Sequence, residues 1–228
     1  MRTRNFTQRL IHFLLERYNP RGAHKSFATT GEDLIIQAAL HAAGITQATY
    51  VDIGAHHPIF SNNTYFFYRQ GGRGVIIEPN KKLIEIAQHK RPRDTIVRAG
   101  AGATNNESLF YAFSQSTRST FSKEQAEEWE KSSGQQPITS PLPLFSLDTI
   151  IQKFCNNTPD IVSIDAEGYD EEILRGFSWR VRPPVFCVES LEQSGQRNQA
   201  LYDIFTNHQY RVYAETPANT IFIDTLVQ

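Results

Sequence analysis

The sequence contains little cysteine, with only Cys155 and Cys187 in a chain of 228 residues. Two isolated thiols give neither the paired spacing of a zinc site nor the disulfide framework of a small secreted protein. Both stand among apolar neighbours, so we expect reduced, buried and structural cysteines of the kind found in cytosolic proteins.

Long hydrophobic runs are also missing. The longest run near the N-terminus, IHFLL, is too short for a signal-peptide core or a membrane span, so we expect a cytoplasmic protein. Basic residues are not in excess either, because 23 Lys and Arg face 24 Asp and Glu, for a net charge of −1. Nucleic-acid-binding proteins favour a broad basic face, so we expect no nucleic-acid partner.

Residues 1–22 differ from the rest of the chain. A predicted helix there places apolar residues on one face, flanked by arginines: Phe6, Leu10, Phe13, Leu14 and Tyr18. Such a helix lies on the inner face of an anionic membrane as a peripheral contact, on a partner subunit, or on its own domain, and packing on its own domain is the commoner outcome. We expect residues 1–28 to form a helical extension and residues 29–228 a single domain.

The most informative segment is TYVDIGAHHPIFSNNTYFFYRQGGRGVIIEPN, residues 49–80. Its pattern predicts a buried strand, a glycine turn at Gly54, an aromatic helix capped by Ser61 or Asn62, and a second strand ending at Glu78. An acid at the end of a second strand is where the ribose of a nucleoside cofactor is usually held. The segment therefore predicts a cofactor site, although solvated strand ends would give the same pattern.

Glycines are missing where a dinucleotide cofactor needs them. Pyrophosphate lies against the bare backbone of G-x-G-x-x-G, whereas this turn reads GAHHPI and keeps only the first glycine. S-adenosylmethionine carries adenine, ribose and a sulfonium but no phosphate. One glycine with acids for the ribose and the ammonium group suits it better.

Several motifs then occur in a fixed order: GEDLII, VDIGAHHPIFSNNTY, GRGVIIEPN, SLDTII and DIVSIDAEGYDEEIL. Over residues 31 to about 190 the chain resembles the FkbM family of S-adenosylmethionine-dependent methyltransferases. The resemblance implies a class I methyltransferase fold, methyl transfer to an oxygen that is often a sugar hydroxyl, and cofactor contacts from Asp52, Gly54 and Glu78. To these we add the neighbouring motif residues Ala55, Asn63 and Pro79.

The coarse order of elements agrees with an α/β, Rossmann-like fold. Helices alternate with apolar strands, and the family implies a mostly parallel seven-stranded sheet with helices on both faces. Thr29 and Glu32 predict a capping box for a helix over 30–43, and Asn80 predicts the cap of another that ends near Lys90. Alternation near 109–113 and 142–147 predicts antiparallel strands around an insertion.

A second acidic cluster predicts the chemistry. Asp165, Glu167 and Glu189 follow two apolar strands, and ligands in such sheets bind beyond the carboxyl ends of strands. The three acids suit Mg²⁺, or one of them serves as the base that an alcohol nucleophile requires. His56 and His57 are the other candidate bases. The structural alternatives are that Glu167 caps the helix beginning near Tyr169, that Asp165 binds backbone amides of a turn, and that the two histidines fill the loop over the cofactor.

Residues 114–141 read as a polar insertion, and Ser122 predicts the cap of a short helix within it. Long loops near an active edge are often lids or acceptor sites, so we expect a lid-like role. Arg118 and Trp129 are candidate contacts to a sugar acceptor. A tryptophan packed on its own domain is equally compatible with the sequence.

Other functions share parts of this pattern. A nicotinamide-dependent oxidoreductase would use the same fold and Glu78, but this chain lacks the glycines that such an enzyme needs. A catalytically silent binding module would have no use for the second acidic cluster. The acceptor predicted from the resemblance is a small molecule or a glycan. Methylation of a polyketide remains an alternative to methylation of a sugar, and the oligomeric state is not predicted.

Overall fold

The computed structural model describes residues 24–192 and 194–226. The predicted helix over residues 1–22 lies outside these residues. The described residues form ten strands: β1 (Thr49–Ile53), β2 (Arg73–Ile77), β3 (Thr95–Val97), β4 (Gly100–Ala101), β5 (Asn106–Ala112), β6 (Ile138–Phe145), β7 (Ile161–Ile164), β8 (Val185–Glu189), β9 (Tyr210–Glu215) and β10 (Asn219–Asp224).

Seven strands form the main sheet in the order β3-β2-β1-β7-β8-β10-β9. The first five pair in parallel, while β10 runs antiparallel to both β8 and β9. The expected mostly parallel seven-stranded sheet is therefore confirmed. The central strands β1, β7 and β8 read as apolar runs because helices cover both faces of the sheet there, whereas the edge strand β9 is largely exposed.

In the part of the chain that the structure describes, seven α-helices accompany the strands: α1 (Glu32–Ala42), α2 (Tyr65–Arg69), α3 (Lys81–Lys90), α4 (Lys123–Ser133), α5 (Leu147–Phe154), α6 (Asp170–Arg175) and α7 (Gln199–Asn207). One core lies between the sheet and α5, α6 and α7, and another between the sheet and α1 and α2. Side chains alternate along β1, so Val51 and Ile53 face the first core while Tyr50 faces the second.

The first residues of three helices can be compared with the N-caps predicted from the sequence. Asn80 accepts a hydrogen bond from Lys82 N at 3.0 Å, and Ser122 accepts one from Gln125 N at 3.2 Å, as expected. The capping box predicted for Thr29 and Glu32 is wrong. Helix α1 starts after Gly31, whose φ of 89° is left-handed, and Glu32 instead accepts hydrogen bonds from Thr30.

A second, three-stranded sheet has the order β4-β6-β5. The predicted strand near 142–147 is displaced, because Ser146 caps α5 by accepting from Thr149 N and the strand must end at Phe145. Between β5 and β6 lie a 3₁₀ turn, Ser116–Arg118, and α4. The insertion thus carries a helix of its own and is anchored at both ends by one hairpin.

Both cysteines are free thiols. Cys187 is buried in β8 and Cys155 is half-buried, and burial raises the pKa of each, that of Cys155 to about 11. Thiols of this kind are unreactive because little thiolate forms. None of the helices within residues 24–192 and 194–226 combines the length and apolar character needed to cross a lipid bilayer.

Candidate active site

The carboxyl ends of β1, β2 and β7 surround a cavity of about 330 Å³. Six of the residues predicted for the site border it: Gly54, His56, Glu78, Pro79, Asp165 and Glu167. They come from three segments, which we call the β1 turn (residues 54–57), the β2 end (residues 78–80) and the acid loop (residues 165–169). Parallel strands bring them together because their carboxyl ends share one edge of the sheet.

Gly54 joins the β1 turn to the acid loop. Its φ is +72°, and a Cβ built on it would overlap the carbonyl oxygen of Asp165. Its amide donates to the Ile77 carbonyl at 3.0 Å, which fixes the turn against β2. Both the left-handed conformation and the close approach require glycine, so this turn exposes bare backbone to the cavity.

Glu78 occupies the end of β2 with 5% of its surface exposed. Its two carboxylate oxygens accept hydrogen bonds from His56 N at 2.9 Å and Asn80 N at 2.8 Å. Desolvation raises the pKa of Glu78 to about 7, although these two amides oppose the shift. Each oxygen retains a second lone pair, so the carboxylate can still accept from the two hydroxyls of a ribose.

Asp52 was expected to contact the cofactor, but its side chain does not border the cavity. Its carboxylate is buried on the α2 side of β1, where it accepts from Asn62 Nδ2 at 2.9 Å and Thr64 Oγ1 at 2.6 Å. Arg91 Nη1 lies 3.8 Å away. Burial raises the pKa of Asp52, and the charge of Arg91 and the two hydrogen bonds oppose that shift. Asp52 therefore supports the β1 turn from behind.

Two further predicted contacts also lie outside the cavity. Ala55 is buried against Ile76 and Ala87, and its carbonyl accepts from Asn62. Asn63 Nδ2 donates to Ser163 Oγ at 3.1 Å, beneath the β1 turn rather than in the cavity. The predicted cofactor residues thus divide into a lining group and a supporting group.

The two histidines behave differently. His56 borders the cavity, and its Nε2 lies 2.8 Å from Ser116 Oγ. His57 stacks on Phe60, and its Nδ1 accepts from the amides of Ile59 and Phe60. Burial lowers the pKa of both imidazoles, so both are neutral at physiological pH. His57 is a structural side chain of the loop and does not line the cavity.

The acid loop carries carboxyl groups whose pKa values are raised. Desolvation raises the pKa of Glu167 to about 8, with a further contribution from the charge of Asp165. The pKa of Asp165 is raised well above its usual range by desolvation and then by Glu189, whose own pKa is raised to about 7 by desolvation. Water reaches the Asp165 side chain inside the cavity, but protein surrounds the site, so the charge is poorly solvated.

The predicted Mg²⁺ site is not formed by these acids. Within the described residues, no group of three or more His, Cys, Asp or Glu side chains is arranged to hold a metal ion. Asp165 and Glu167 border the main cavity, whereas Glu189 faces a neighbouring one. Asp165 and Glu189 instead lie close enough to share a proton, so these two acids pair with each other rather than facing a common ion.

That neighbouring cavity, of about 380 Å³, runs between the acid loop, α4 and α7, and we call it the acidic groove. Its lining includes six acids: Glu128, Glu167, Asp170, Glu171, Glu189 and Glu192. Glu167 borders both cavities. Its carboxyl group therefore stands at the boundary between them.

The predicted acceptor contacts Arg118 and Trp129 border neither cavity. Trp129 packs edge-on against Phe113 with ring centroids 6.0 Å apart, which matches the alternative of a tryptophan packed on its own domain. Sequence reasoning missed lining residues from the insertion, namely Ser116, Ser119, Thr120 and Phe121. No pattern marks them, because they lie in irregular backbone whose position depends on tertiary contacts.

The family can now be identified from sequence comparison. A model of the methyltransferase FkbM domain matches residues 52–212, more than half of the chain. The chain belongs to the FkbM methyltransferase family. The match begins within β1 and extends into β9, so it includes the β1 turn, the β2 end and the acid loop. Membership supports S-adenosylmethionine-dependent methylation rather than the oxidoreductase alternative.

Solved structures give more distant likenesses. An O-methyltransferase from Bacillus cereus in complex with S-adenosylhomocysteine is 13% identical, with 96% of this chain and 90% of that chain covered and a TM-score of 0.45. A TehB-like S-adenosylmethionine-dependent methyltransferase from Corynebacterium glutamicum is 10% identical, covers 97% and 100%, and has a TM-score of 0.44. Likenesses at this level support no argument about function. No protein with a curated description matches the chain in sequence.

Proposed function

We propose that this FkbM-family methyltransferase transfers a methyl group from S-adenosylmethionine to a hydroxyl group, and that the hydroxyl belongs to a sugar of a glycan or glycolipid. The observation that carries the proposal is the position of Glu167, which borders both the cavity at the β1 turn and the acidic groove. A base at this boundary meets an acceptor entering from one side and a cofactor bound on the other.

The residues of the main cavity fit the cofactor. Glu78 has lone pairs free for the ribose hydroxyls, and a carboxylate at this position repels a ribose phosphate. Gly54 exposes backbone that a Cβ would cover, and Pro79 adds an apolar wall beside Glu78. S-adenosylmethionine, when bound there, supplies an electrophilic methyl group on a positively charged sulfur.

Glu167 is suited to activate an alcohol. An alcohol is a weak nucleophile at neutral pH and must transfer its proton as the new bond forms. General-base catalysis is most effective when the pKa of the base lies near the working pH, and that of Glu167 is raised to about 8. The protonated fraction of Glu167 falls as the pH rises through this value, so the rate is expected to rise over the same range.

The acidic groove supports a polyhydroxyl acceptor. Carboxylates and the side chains of Gln125, Ser190 and Asn198 line it, and together they offer many acceptors for hydroxyl donors. The same negative charge repels phosphodiesters, which disfavours nucleic acid. A sugar therefore matches the groove in both hydrogen bonding and charge.

Cofactor binding is tested first by calorimetry with S-adenosylhomocysteine and, separately, with NAD. Heat with the former and none with the latter is expected. Absence of binding to S-adenosylhomocysteine would refute the proposal. Glycans from cells with and without the protein are then compared by mass spectrometry for a difference of one CH₂, and an unchanged glycan profile would remove the sugar acceptor.

Glu167→Gln and Asp165→Asn test the chemistry. We expect a loss of turnover of about 10²–10⁴-fold for Glu167→Gln, because the base is removed, with affinity for S-adenosylhomocysteine unchanged. Asp165→Asn should also lose turnover, since Asp165 helps to raise the pKa of Glu167. Glu172→Gln, at an exposed position on α6, is the control and should retain the rate. Near-normal turnover in both test variants would exclude the assignment.

A further inference from the structure

A short part of the insertion touches both loops of the active site. We call residues 116–125 the strap; they run from the 3₁₀ turn into the first residues of α4. Ser116 and Thr120 both border the main cavity. The strap therefore forms a wall of the cavity that neither the β1 turn nor the acid loop supplies.

The first contact joins the strap to the β1 turn. Ser116 Oγ lies 2.8 Å from His56 Nε2, within hydrogen-bonding distance. The backbone amide of His56 donates to Glu78, so the same residue touches the strap with its side chain and the β2 end with its backbone. A displacement of Ser116 would therefore reach the carboxylate that is suited to hold the cofactor ribose.

The second contact joins the strap to the acid loop. The Thr120 hydroxyl shares its proton between the Glu167 carbonyl oxygen at 3.3 Å and Gln125 Oε1 at 3.1 Å. A Cβ on Gly168, whose φ is +92°, would overlap the Gln125 side chain. The Tyr169 hydroxyl donates to the Phe121 carbonyl at 3.4 Å. Three consecutive residues of the acid loop thus rest against the strap.

Both loops are strained where the strap touches them. The φ of His56 is 47° and that of Glu167 is 48°, although neither residue is glycine. Within the described part of the chain, five non-glycine residues have such a conformation: His56, Ser61, Glu167, Trp179 and Gln209. Strained backbone persists only where its surroundings hold it, and it concentrates at functional sites. Two of the five are held by hydroxyl groups of the strap.

We propose that Ser116 and Thr120 are positioning residues of the methyl transfer site, with Ser116 holding the β1 turn over the cofactor cavity and Thr120 holding Glu167 at the boundary with the acidic groove. This inference rests on the proposed function, because the roles of both loops come from it. It assigns to the insertion a part in catalysis that its sequence does not indicate.

The environment of Glu167 determines how the proposal is tested. Its neighbours on the strap are uncharged, whereas the charged groups around it are acids of the acid loop, α4, α6, β8 and the segment after β8: Asp165, Glu128, Asp170, Glu171, Glu189 and Glu192. Opening the strap admits water to this region. Desolvation is the largest cause of the raised pKa of Glu167, so that pKa should fall toward its ordinary value of 4.5.

The experiment compares Thr120→Val, which keeps the shape and removes the hydroxyl, with Thr120→Ser, which keeps the hydroxyl. For Thr120→Val we expect kcat to fall about threefold to tenfold, the range of one hydrogen bond. The limb of the pH–rate profile near pH 8 should shift to lower pH. Thr120→Ser should retain the wild-type kcat and the wild-type pH–rate profile, because the hydroxyl is kept. Ser116→Ala should instead weaken S-adenosylhomocysteine binding about threefold to tenfold with little change in kcat.

Ser114→Ala is the matched control, because the Ser114 hydroxyl belongs to the same insertion but donates to Gln135. It should leave kcat, the pH profile and cofactor affinity unchanged. A Thr120→Val enzyme with the wild-type rate and pH profile would overturn the role of Thr120. Equal losses of kcat and cofactor affinity in Ser114→Ala and the two test variants would show that the strap only stabilises the fold, and would overturn the proposal.

A measurement without turnover separates this inference from the proposed function. The carboxyl resonance of Glu167 in ¹³C-glutamate-labelled protein is identified by its loss in Glu167→Gln and then titrated. A lower pKa in Thr120→Val than in wild type supports the strap even if no acceptor is found. Equal values in correctly folded proteins overturn the effect of the strap on Glu167, whereas failure of the wild type to bind S-adenosylhomocysteine overturns the proposed function and leaves that effect measurable.

Discussion

The β2 end and the acid loop border one cavity, and both carry carboxyl groups with raised pKa values, yet the groups have different partners. Glu78 is held by two backbone amides. Within the described residues, no backbone amide donates to the carboxylates of Asp165 or Glu167, whose nearest charged neighbours are other acids. Fixed donors hold a carboxylate for recognition, whereas neighbouring acids leave it ready to exchange a proton.

The first test of this comparison disrupts the contact between the β1 turn and the acid loop. Gly54→Ala places a Cβ against the Asp165 carbonyl oxygen in a left-handed conformation, so we expect a loss of more than about 4 kcal/mol in the free energy of unfolding. Gly44→Ala has a similar φ of +76° but meets no atom within 4 Å. It should cost only the conformational strain, about 1–2 kcal/mol.

Chemical denaturation measures both variants. Similar losses for Gly54→Ala and Gly44→Ala would show that the contact between the β1 turn and the acid loop has no energetic weight. The two sides of the cavity would then be independent.

A second variant tests recognition on the β2 side. Glu78→Gln places an amide NH₂ where one of two backbone donors now binds, so the side chain can no longer satisfy both amides and a ribose diol. We expect affinity for S-adenosylhomocysteine to fall about tenfold to a hundredfold, measured by calorimetry. Glu85→Gln, exposed on α3, is the control. Unchanged affinity in Glu78→Gln would place the ribose elsewhere.

The smallest expected effect is the dependence of stability on pH. The pKa of Glu167 is raised to about 8, and those of Glu78 and Glu189 to about 7, from the ordinary value of 4.5. Between these values the folded state binds more protons than the unfolded state. Stability is therefore greatest at the acid end of this window and falls as the pH rises through it.

A thermal melt should record this as a decrease of the order of 2–4 °C for each kcal/mol lost. Glu167→Gln should flatten the slope, because the variant no longer titrates in this range. A melting temperature that rises with pH over the window would show that the acid loop is not desolvated.

The sequence predicted most of the sheet, because buried parallel strands are apolar runs bounded by turns. It also located both acidic clusters, since strand ends are visible as the point where such a run stops. It misjudged the direction of Asp52. That direction follows from the alternation in β1, where Tyr50 faces the α1 and α2 side and Asp52 shares its parity.

The strap could not have been predicted in the same way. Ser116 lies 60 residues after His56, and Thr120 lies 47 residues before Glu167. The hairpin β5–β6 that carries both strap residues back to the cavity has no periodic signal of ligand binding. Polar loop residues look alike in sequence whether they face solvent or a site. Only the assembled fold shows which of them meet.

Arg91 has a consequence for how variants of this enzyme should be classified. Its guanidinium is fully buried and donates to Asn62, Thr64 and Asp94, while Asn62 holds the carbonyl of Ala55. Losing one member of such a network leaves uncompensated charge in the interior. An inactive clone altered at position 91 in a random mutagenesis screen would therefore report a damaged scaffold, although it would score identically to a clone that had lost its chemistry.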